Sequence, residues 1–319
     1  MGRLNDFQKL NRIKASFDEI YTAPDPRDYF RVLGALDYVI PDLAAPVFRQ
    51  LARAFEAARG QAPRLLDIGC SYGVNAALIR LPLGWDILRD RYARPAVMAL
   101  EPEELAARDR AYFEAWPPET PVSVMGLDVS APAVGYAQRA GLLEAGVAAD
   151  LEHEACILTA EQERALASAD MFISTGCVGY VTERTFERLL SLRPPGAPKP
   201  WVASFVLRLF PYEGIAERFA RHGLATEKLG SCAFVQRRFR DADEFENTLA
   251  RLERLGLDPT GLESEGLFYA ELFLSRPEEE ARAAPLQDIV TVASGRSRRY
   301  GSRFTRLETA EGEVVTVTR

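Results

Sequence analysis

The sequence predicts an α/β protein organised around a mostly parallel sheet with helices on both faces. Two observations carry that expectation. Between residues 64 and 274, short apolar runs alternate with helical stretches, and strands interleaved with helices mark parallel sheets covered on both sides. Two of the runs, Arg64–Ile68 and Val122–Leu127, carry or meet a carboxylate at their carboxyl ends, Asp67 and Asp128, just before a turn and a helix.

The elements follow in order. Phe7, Leu10, Ile13, Phe17 and Ile20 recur at helical spacing until Ala23-Pro24-Asp25-Pro26 breaks the pattern, because each proline disfavours helix in the residue before it. A second helical face carries Tyr29, Phe30, Leu33, Leu36 and Tyr38, and a third runs from Leu43 to Ala58 and stops near Gly60. The strand Arg64–Ile68 then enters the turn Gly69-Cys70-Ser71-Tyr72-Gly73, and a helix begins near Val74. Residues 81–120 read as a charged helical insertion punctuated by Pro82, Pro95, Pro102 and Trp116-Pro117-Pro118. After Val122–Leu127 and a helix through Val134, Ala137 and Leu142, a strand precedes Asp150. A helix near 161–168 leads to the apolar strand Met171–Ser174 and then Thr175-Gly176. The proline-rich loop 193–200 feeds a buried strand from Trp201 to Leu209. Strands at Phe234–Phe239 and Leu267–Leu274 flank a helix at 242–255. Beyond 276, Ala310-Glu311-Gly312 and the alternating Glu313–Thr318 predict a small hairpin. It reads either as a solvated tail or as a subunit contact or lid, the former leaving the chain alone and the latter allowing a homodimer. The chain thus divides into an N-terminal helical cap (1–60), a core (61–276) and a C-terminal extension (277–319).

Composition narrows the function. Of 319 residues, 47% are hydrophobic and 27% charged, the balance of a globular protein. A net charge of -7 and only four lysines argue against nucleic acid, which needs a cationic face. No apolar run approaches the roughly 18–20 residues of a membrane span, and the polar start lacks the centre of a secretory signal. A cytoplasmic protein is the expectation. Cys70, Cys156, Cys177 and Cys232 are widely spaced and the only histidines are His153 and His222, so neither a disulfide framework nor a metal site is expected.

A strand, a glycine-rich turn and a helix N-terminus form a nucleotide-binding arrangement, because glycine lets the backbone approach a ligand and the helix offers unpaired N–H groups. This turn lacks the GxGxxG spacing of the pyrophosphate-binding version. Asp67, two residues before the first glycine, would repel a pyrophosphate and suits a ligand carrying an ammonium group. An acid at the second strand's tip can accept from both ribose hydroxyls. Asp128 takes that role, although residues 81–120 separate it from the turn by more than the usual twenty or so residues. Glu101, after Ala96-Val97-Met98-Ala99-Leu100, is the nearer alternative, or else the start of a solvated helix.

These residues resemble the class I S-adenosylmethionine-dependent methyltransferases. Asp67–Gly73 looks like the family's first motif, with Ser71 where glycine is common. Met125–Ser130 with Ala133-Val134 and Tyr136-Ala137 is similar to its second motif, and Asp150-Leu151 falls at the adenine-contacting position. Ala169–Gly176 resembles its fourth strand, so the likeness spans residues 60–276 in order. It implies a Rossmann-like, mostly parallel seven-stranded sheet and S-adenosyl-L-methionine as cofactor. Asp67, Gly69, Cys70, Ser71 and Gly73 would hold the methionine end. Asp128 and Val129 would lie at the ribose, Asp150 and Leu151 at the adenine, and Thr175 and Gly176 beside the reacting methyl group.

The implied reaction is methyl transfer to a small-molecule acceptor by in-line displacement, resting mainly on proximity and orientation. Substrate should lie above the carboxyl ends of the strands. Candidate contacts there are Cys177, Arg208 and Tyr212, joined by Tyr21, Arg27 and Tyr29 from a cap. Tyr180 could orient the acceptor or pack on the next helix, and His153 is the better histidine if a base is needed. No Asn/Asp-Pro-Pro-aromatic tetrad follows the fourth strand, against a DNA adenine methylase. Two other readings remain: a protein of this fold that binds the cofactor without transferring methyl, and a nicotinamide-dependent oxidoreductase.

Overall fold

A computed structural model describes residues 17–230, 232–292, 304–309 and 312–317. Its centre is one sheet of strands β1 (Arg64–Ile68), β2 (Ser123–Asp128), β3 (Ala145–Ala148), β4 (Met171–Thr175), β5 (Trp201–Leu207), β6 (Leu224–Lys228), β7 (Phe234–Arg238) and β8 (Leu267–Pro277). The order across it is β3-β2-β1-β4-β5-β8-β6, with β7 pairing a separate stretch of β8. Strands β1 to β5 run parallel and β8 is antiparallel to each of its partners. The mostly parallel sheet expected from the sequence is therefore present, seven strands wide with β7 as an eighth member. The order reverses between β1 and β4, and such a switch point opens a crevice at the strands' carboxyl ends.

Helices cover the sheet as the apolar periods require. The N-terminal segment supplies α1 (Asp18–Tyr21), α2 (Arg27–Gly34) and α3 (Ile40–Arg59), the last ending at Gly60 with φ 76°. Helix α4 (Val74–Arg80) follows the turn after β1. Residues 81–120 form α5 (Trp85–Tyr92), α6 (Pro95–Met98) and α7 (Pro102–Glu114). Ala96–Met98 is helical, Ala99 and Leu100 form the turn after it, and Glu101 is an exposed residue flanking α7. Helix α8 (Ala131–Arg139) is capped by Ser130, and α9 (Ala160–Ala167) opens on a capping box of Thr159 and Gln162. Helix α10 (Glu183–Ser191) begins at Thr182, followed by α11 (Glu213–Arg221) and α12 (Ala242–Arg254). Short helices α13 (Glu278–Ala283) and α14 (Leu286–Ile289) follow β8, and β9 (Phe304–Thr309) pairs antiparallel with β10 (Gly312–Val317) as the expected hairpin.

Rings and buried polar groups hold the attachments to the core. Phe30 stacks on Tyr92 at 4.7 Å and lies 4.7 Å from Trp85, which joins α2 to α5. Buried Asp109 of α7 accepts from the hydroxyls of Tyr92 and Tyr136 and pairs with Arg91, which fastens the insertion to α8. The Tyr72 hydroxyl lies 2.8 Å from the carbonyl oxygens of Ile20 and Ala23, and Ser130 Oγ donates to the Tyr21 carbonyl at 2.6 Å. The segment around residues 20–23 is therefore tied down beside both strand-end turns.

Candidate functional site

The site starts at the turn after β1. Gly69 takes φ 74° and Ser71 φ 46°, both in the left-handed region, which turns the chain sharply before α4. A Cβ on Gly69 would stand 2.8 Å from Cys177 Cβ, so glycine is what lets the β1 and β4 turns close on one another. The Gly69 amide donates to the Leu127 carbonyl at 2.8 Å, which sets the turn against the end of β2. Asp128 then accepts from the Ser71 amide through Oδ2 and from the Ser130 amide through Oδ1, each at 2.9 Å. Two backbone donors thus fix this carboxylate, and each oxygen keeps a lone pair for a ligand. Burial raises the Asp128 pKa against those hydrogen bonds.

Beneath the turn, Asp67 is wholly buried. Its Oδ1 accepts from Asn75 Nδ2 at 3.0 Å, and its Oδ2 has no hydrogen-bond partner. Burial pushes its pKa up to about 7, opposed in part by the Asn75 hydrogen bond. A buried orphan oxygen on an acid without a paired cation is costly unless a donor reaches it.

A cavity of about 450 Å³ lies over these strand tips. One wall consists of Ile68–Ser71, Leu127–Ser130, Ala149–Glu152 and Thr175–Cys177, the carboxyl ends of β1, β2, β3 and β4. The facing wall is aromatic, built from Phe17, Tyr21, Tyr29 and Tyr38, with Tyr180 at the rim and Gln236 and Arg237 of β7. Tyr21 and Tyr29 meet edge to face at 5.6 Å, and burial holds both hydroxyls well above the usual tyrosine range. Arg237 is 2% exposed and doubly bonded to Glu244 at 2.7 and 2.8 Å, so this wall offers no net charge from that pair.

Of the residues singled out from the sequence, Gly69, Cys70, Ser71, Asp128, Val129, Asp150, Leu151, Thr175, Gly176, Cys177, Tyr180, Tyr21 and Tyr29 line this one cavity. Six do not. Asp67 lies beneath the turn, bonded to Asn75, and Gly73 packs toward Ala137 and Leu142, where a Cβ would stand 3.1 Å from each. Arg27 is occupied by Asp25 at 2.7 Å and by the Met98 and Leu100 carbonyls, so it joins the N-terminal turn to the insertion. Arg208 is buried against Glu263 at 2.5 Å, and Tyr212 stacks on Phe273 at 4.3 Å with its hydroxyl on Ser204. Both follow β5, on the far side of β4 from the turn, where the strand passes into the antiparallel half. The exposed His153 ring accepts from the Ala155 amide at 3.3 Å and belongs to the outer side of its loop. Glu101 is also outside the cavity.

Sequence reasoning missed Asn75, Tyr38, Gln236 and Arg237. Asn75 carried a usable signal, being a polar residue on the first turn of an otherwise apolar helix. Gln236 and Arg237 had none, because strand β7 reaches the cavity only through its pairing with β8.

No family model matches the chain, and no curated protein matches it. Among solved structures, it is similar to the plantazolicin methyltransferase BpumL in complex with a monoazolic desmethylPZN analog and SAH. That likeness has 12% identity and a TM-score of 0.43, and covers 86% of this chain and 99% of that one. It is also similar to the magnesium protoporphyrin IX methyltransferase of Synechocystis with bound SAM, at 12% identity and a TM-score of 0.34 over 72% and 78% of the two chains. The precorrin-6y C5,15-methyltransferase of Geobacter metallireducens follows at 8% identity and a TM-score of 0.33 over 68% and 80%. Likenesses this distant assign the chain neither a ligand nor a reaction.

Proposed function

We propose that the chain binds S-adenosyl-L-methionine over the β1, β2 and β4 turns and transfers its methyl group to a small-molecule acceptor held against the aromatic wall. The observation that carries the reading is electrostatic. Asp67, Asp128 and Asp150 converge on the strand tips, and no ion pair reaches Asp67 or Asp128 among the described residues. The buried and half-buried acids of the β5–β8 region, Glu227, Glu244, Glu263 and Glu271, by contrast have arginine or lysine partners. Acids left without cations beside a cavity suit a ligand that brings its own positive charge, and they oppose a pyrophosphate.

The residues fit the group. Gly69 and Ser71 give the close backbone approach, and the Asp67 Oδ2 orphan awaits a donor, reached directly or through a bridging molecule. Asp128, already oriented by two amides, would accept from ribose hydroxyls. Asp150 and Leu151 would border the adenine, with Val129 beside the ribose. When bound, the cofactor supplies an activated methyl group on a sulfonium. The chain's own work is alignment and exclusion of water, worth on the order of 7–11 kcal/mol for well-placed reactants. Phe17, Tyr21, Tyr29 and Tyr38 exclude water, and Gln236, with a buried unpartnered Oε1, offers polar orientation. Cap, methyltransferase core and extension would occupy residues 1–60, 61–276 and 277–319.

Calorimetric titration tests this reading. Wild type should bind S-adenosylmethionine at micromolar concentration and not NAD, and Asp128→Ala should weaken binding roughly 10- to 100-fold as charge-assisted hydrogen bonds are lost. Binding of NAD alone, or S-adenosylmethionine affinity indifferent to Asp128, would overturn it.

A further inference from the structure

Two neighbouring loops line the cavity, and side chains of each fasten it to the other. The loop after β3 carries Asp150 and Leu151. The loop after β4 carries Cys177 and Tyr180 and runs into α10. Glu152, on the first loop, reaches across to the second. Its Oε1 accepts from the Thr182 amide at 2.8 Å, the Thr185 amide at 3.2 Å and Thr185 Oγ1 at 2.6 Å. Its Oε2 accepts from Thr182 Oγ1 at 2.6 Å, while that same hydroxyl oxygen accepts from the Arg184 amide at 3.2 Å. One carboxylate thus takes up backbone donors at the start of α10, where an anion is favoured by the helix dipole.

The return connection comes from the helix. Arg188 donates to the carbonyl oxygens of Leu151 at 3.2 Å, His153 at 3.0 Å and Cys156 at 2.6 Å, and Arg184 donates to that of Glu152 at 3.3 Å. Arginines one turn apart on α10 hold the backbone of the β3 loop, and the glutamate of that loop holds the start of α10. Neither loop can shift without breaking charge-assisted hydrogen bonds on the other.

We propose that Glu152 is a positioning residue that couples the two loops, so that a ligand settling against Asp150 and Leu151 fixes the Cys177–Val181 loop and Tyr180. This deepens the methyltransferase reading and rests on it for the identity of the ligand. The consequence is reciprocal: occupancy of the cofactor side would favour one arrangement of the acceptor side, and an acceptor would strengthen cofactor binding by the same factor.

Hydrogen exchange followed by mass spectrometry, with S-adenosylhomocysteine as the probe, tests the coupling in wild type, Glu152→Ala and Glu152→Gln. In wild type the probe should slow exchange at 149–152 and also at 178–186. In Glu152→Ala, protection at 149–152 should persist while that at 178–186 is lost, and Glu152→Gln, which keeps a carbonyl acceptor, should restore part of it. Without ligand, Glu152→Ala should speed exchange of the Thr182 and Thr185 amides at least tenfold while residues 65–68 stay unchanged. Protection reaching 178–186 equally in Glu152→Ala, or unchanged ligand-free exchange at Thr182 and Thr185, would overturn the proposal. If the probe protects nothing in wild type, the cofactor reading fails instead, and the link between the loops is judged on the ligand-free exchange alone. Should Glu152→Ala not fold, Glu152→Gln in the same comparison carries the test, with partial loss expected and none overturning it.

Discussion

The two halves of the sheet treat buried charge in opposite ways. In the antiparallel half each of the buried or half-buried acids has a basic partner: Glu263 with Arg208, Glu271 with Lys228, Glu227 with Arg276 and Glu244 with Arg237. In the parallel half, Asp67 is fully buried with an unpartnered oxygen, and Asp128 is held only by backbone amides. Paired charges serve the fold. Acids without a cation are a cost that a proton or a cationic ligand offsets, so the difference marks the strand tips as the candidate site without reference to any relative.

Removing an arginine from the paired half should have the largest effect. Arg208→Ala leaves Glu263 buried without its cation and should destabilise the fold by about 3–5 kcal/mol, measured by urea denaturation. Cofactor affinity should stay within about threefold of wild type at temperatures where the variant is folded, since Arg208 lies outside the cavity. A large affinity loss with intact stability would erase the distinction between the halves.

Asp67→Asn probes the unpaired half with the opposite sign. The Asp67 pKa is raised to about 7 in the fold, above its unfolded value near 4, so the native state holds a proton that the unfolded state has released. The contribution of Asp67 to stability is full below about pH 4 and is lost as pH rises through 7, by up to roughly 4 kcal/mol for about three units. Asparagine does not titrate. The variant should match wild type near pH 4 and exceed it at pH 8, as read from denaturation midpoints across that range. Parallel pH profiles for the two proteins would show that Asp67 does not bear this cost.

These halves were unequally legible in the sequence. The strand tips could be read because their chemistry is local: Asp67, Gly69 and Ser71 lie within five residues, and Asp128-Val129-Ser130 follows one strand. The insertion at 81–120 displaced Asp128 along the chain but not in space, because β2 still pairs with β1 in register, Ile68 beside Leu127. Arg208 and Tyr212 misled for a complementary reason. They follow a buried strand as site residues do, but β8 runs antiparallel beside β5 and engages Arg208 through Glu271, with Glu263 just before β8. Strand β6 escaped notice because Leu224–Lys228 is mostly polar, and Gln236 and Arg237 because nothing nearby in sequence marks β7 as a cavity wall.

The smallest change in atoms falls at the β1 turn. Gly69→Ala adds one methyl group where φ is 74° and where the new Cβ would meet Cys177 Cβ at 2.8 Å. An alanine in the left-handed region costs roughly 1–2 kcal/mol, and displacing Cys177 adds to that, so the fold should lose about 2–4 kcal/mol. A shift of the turn would also move the Ser71 amide, which orients Asp128. Cofactor affinity should therefore fall roughly 10- to 100-fold, more than stability alone predicts, because a 1.4 kcal/mol change is already tenfold. The control is Gly60→Ala, also at positive φ but with nothing within 4 Å of the added Cβ. It should show the backbone cost and no change in calorimetric affinity. Equal affinity in both variants would mean that the β1 turn does not hold the ligand, and the cationic guest of the unpaired acids would have to sit elsewhere in the cavity.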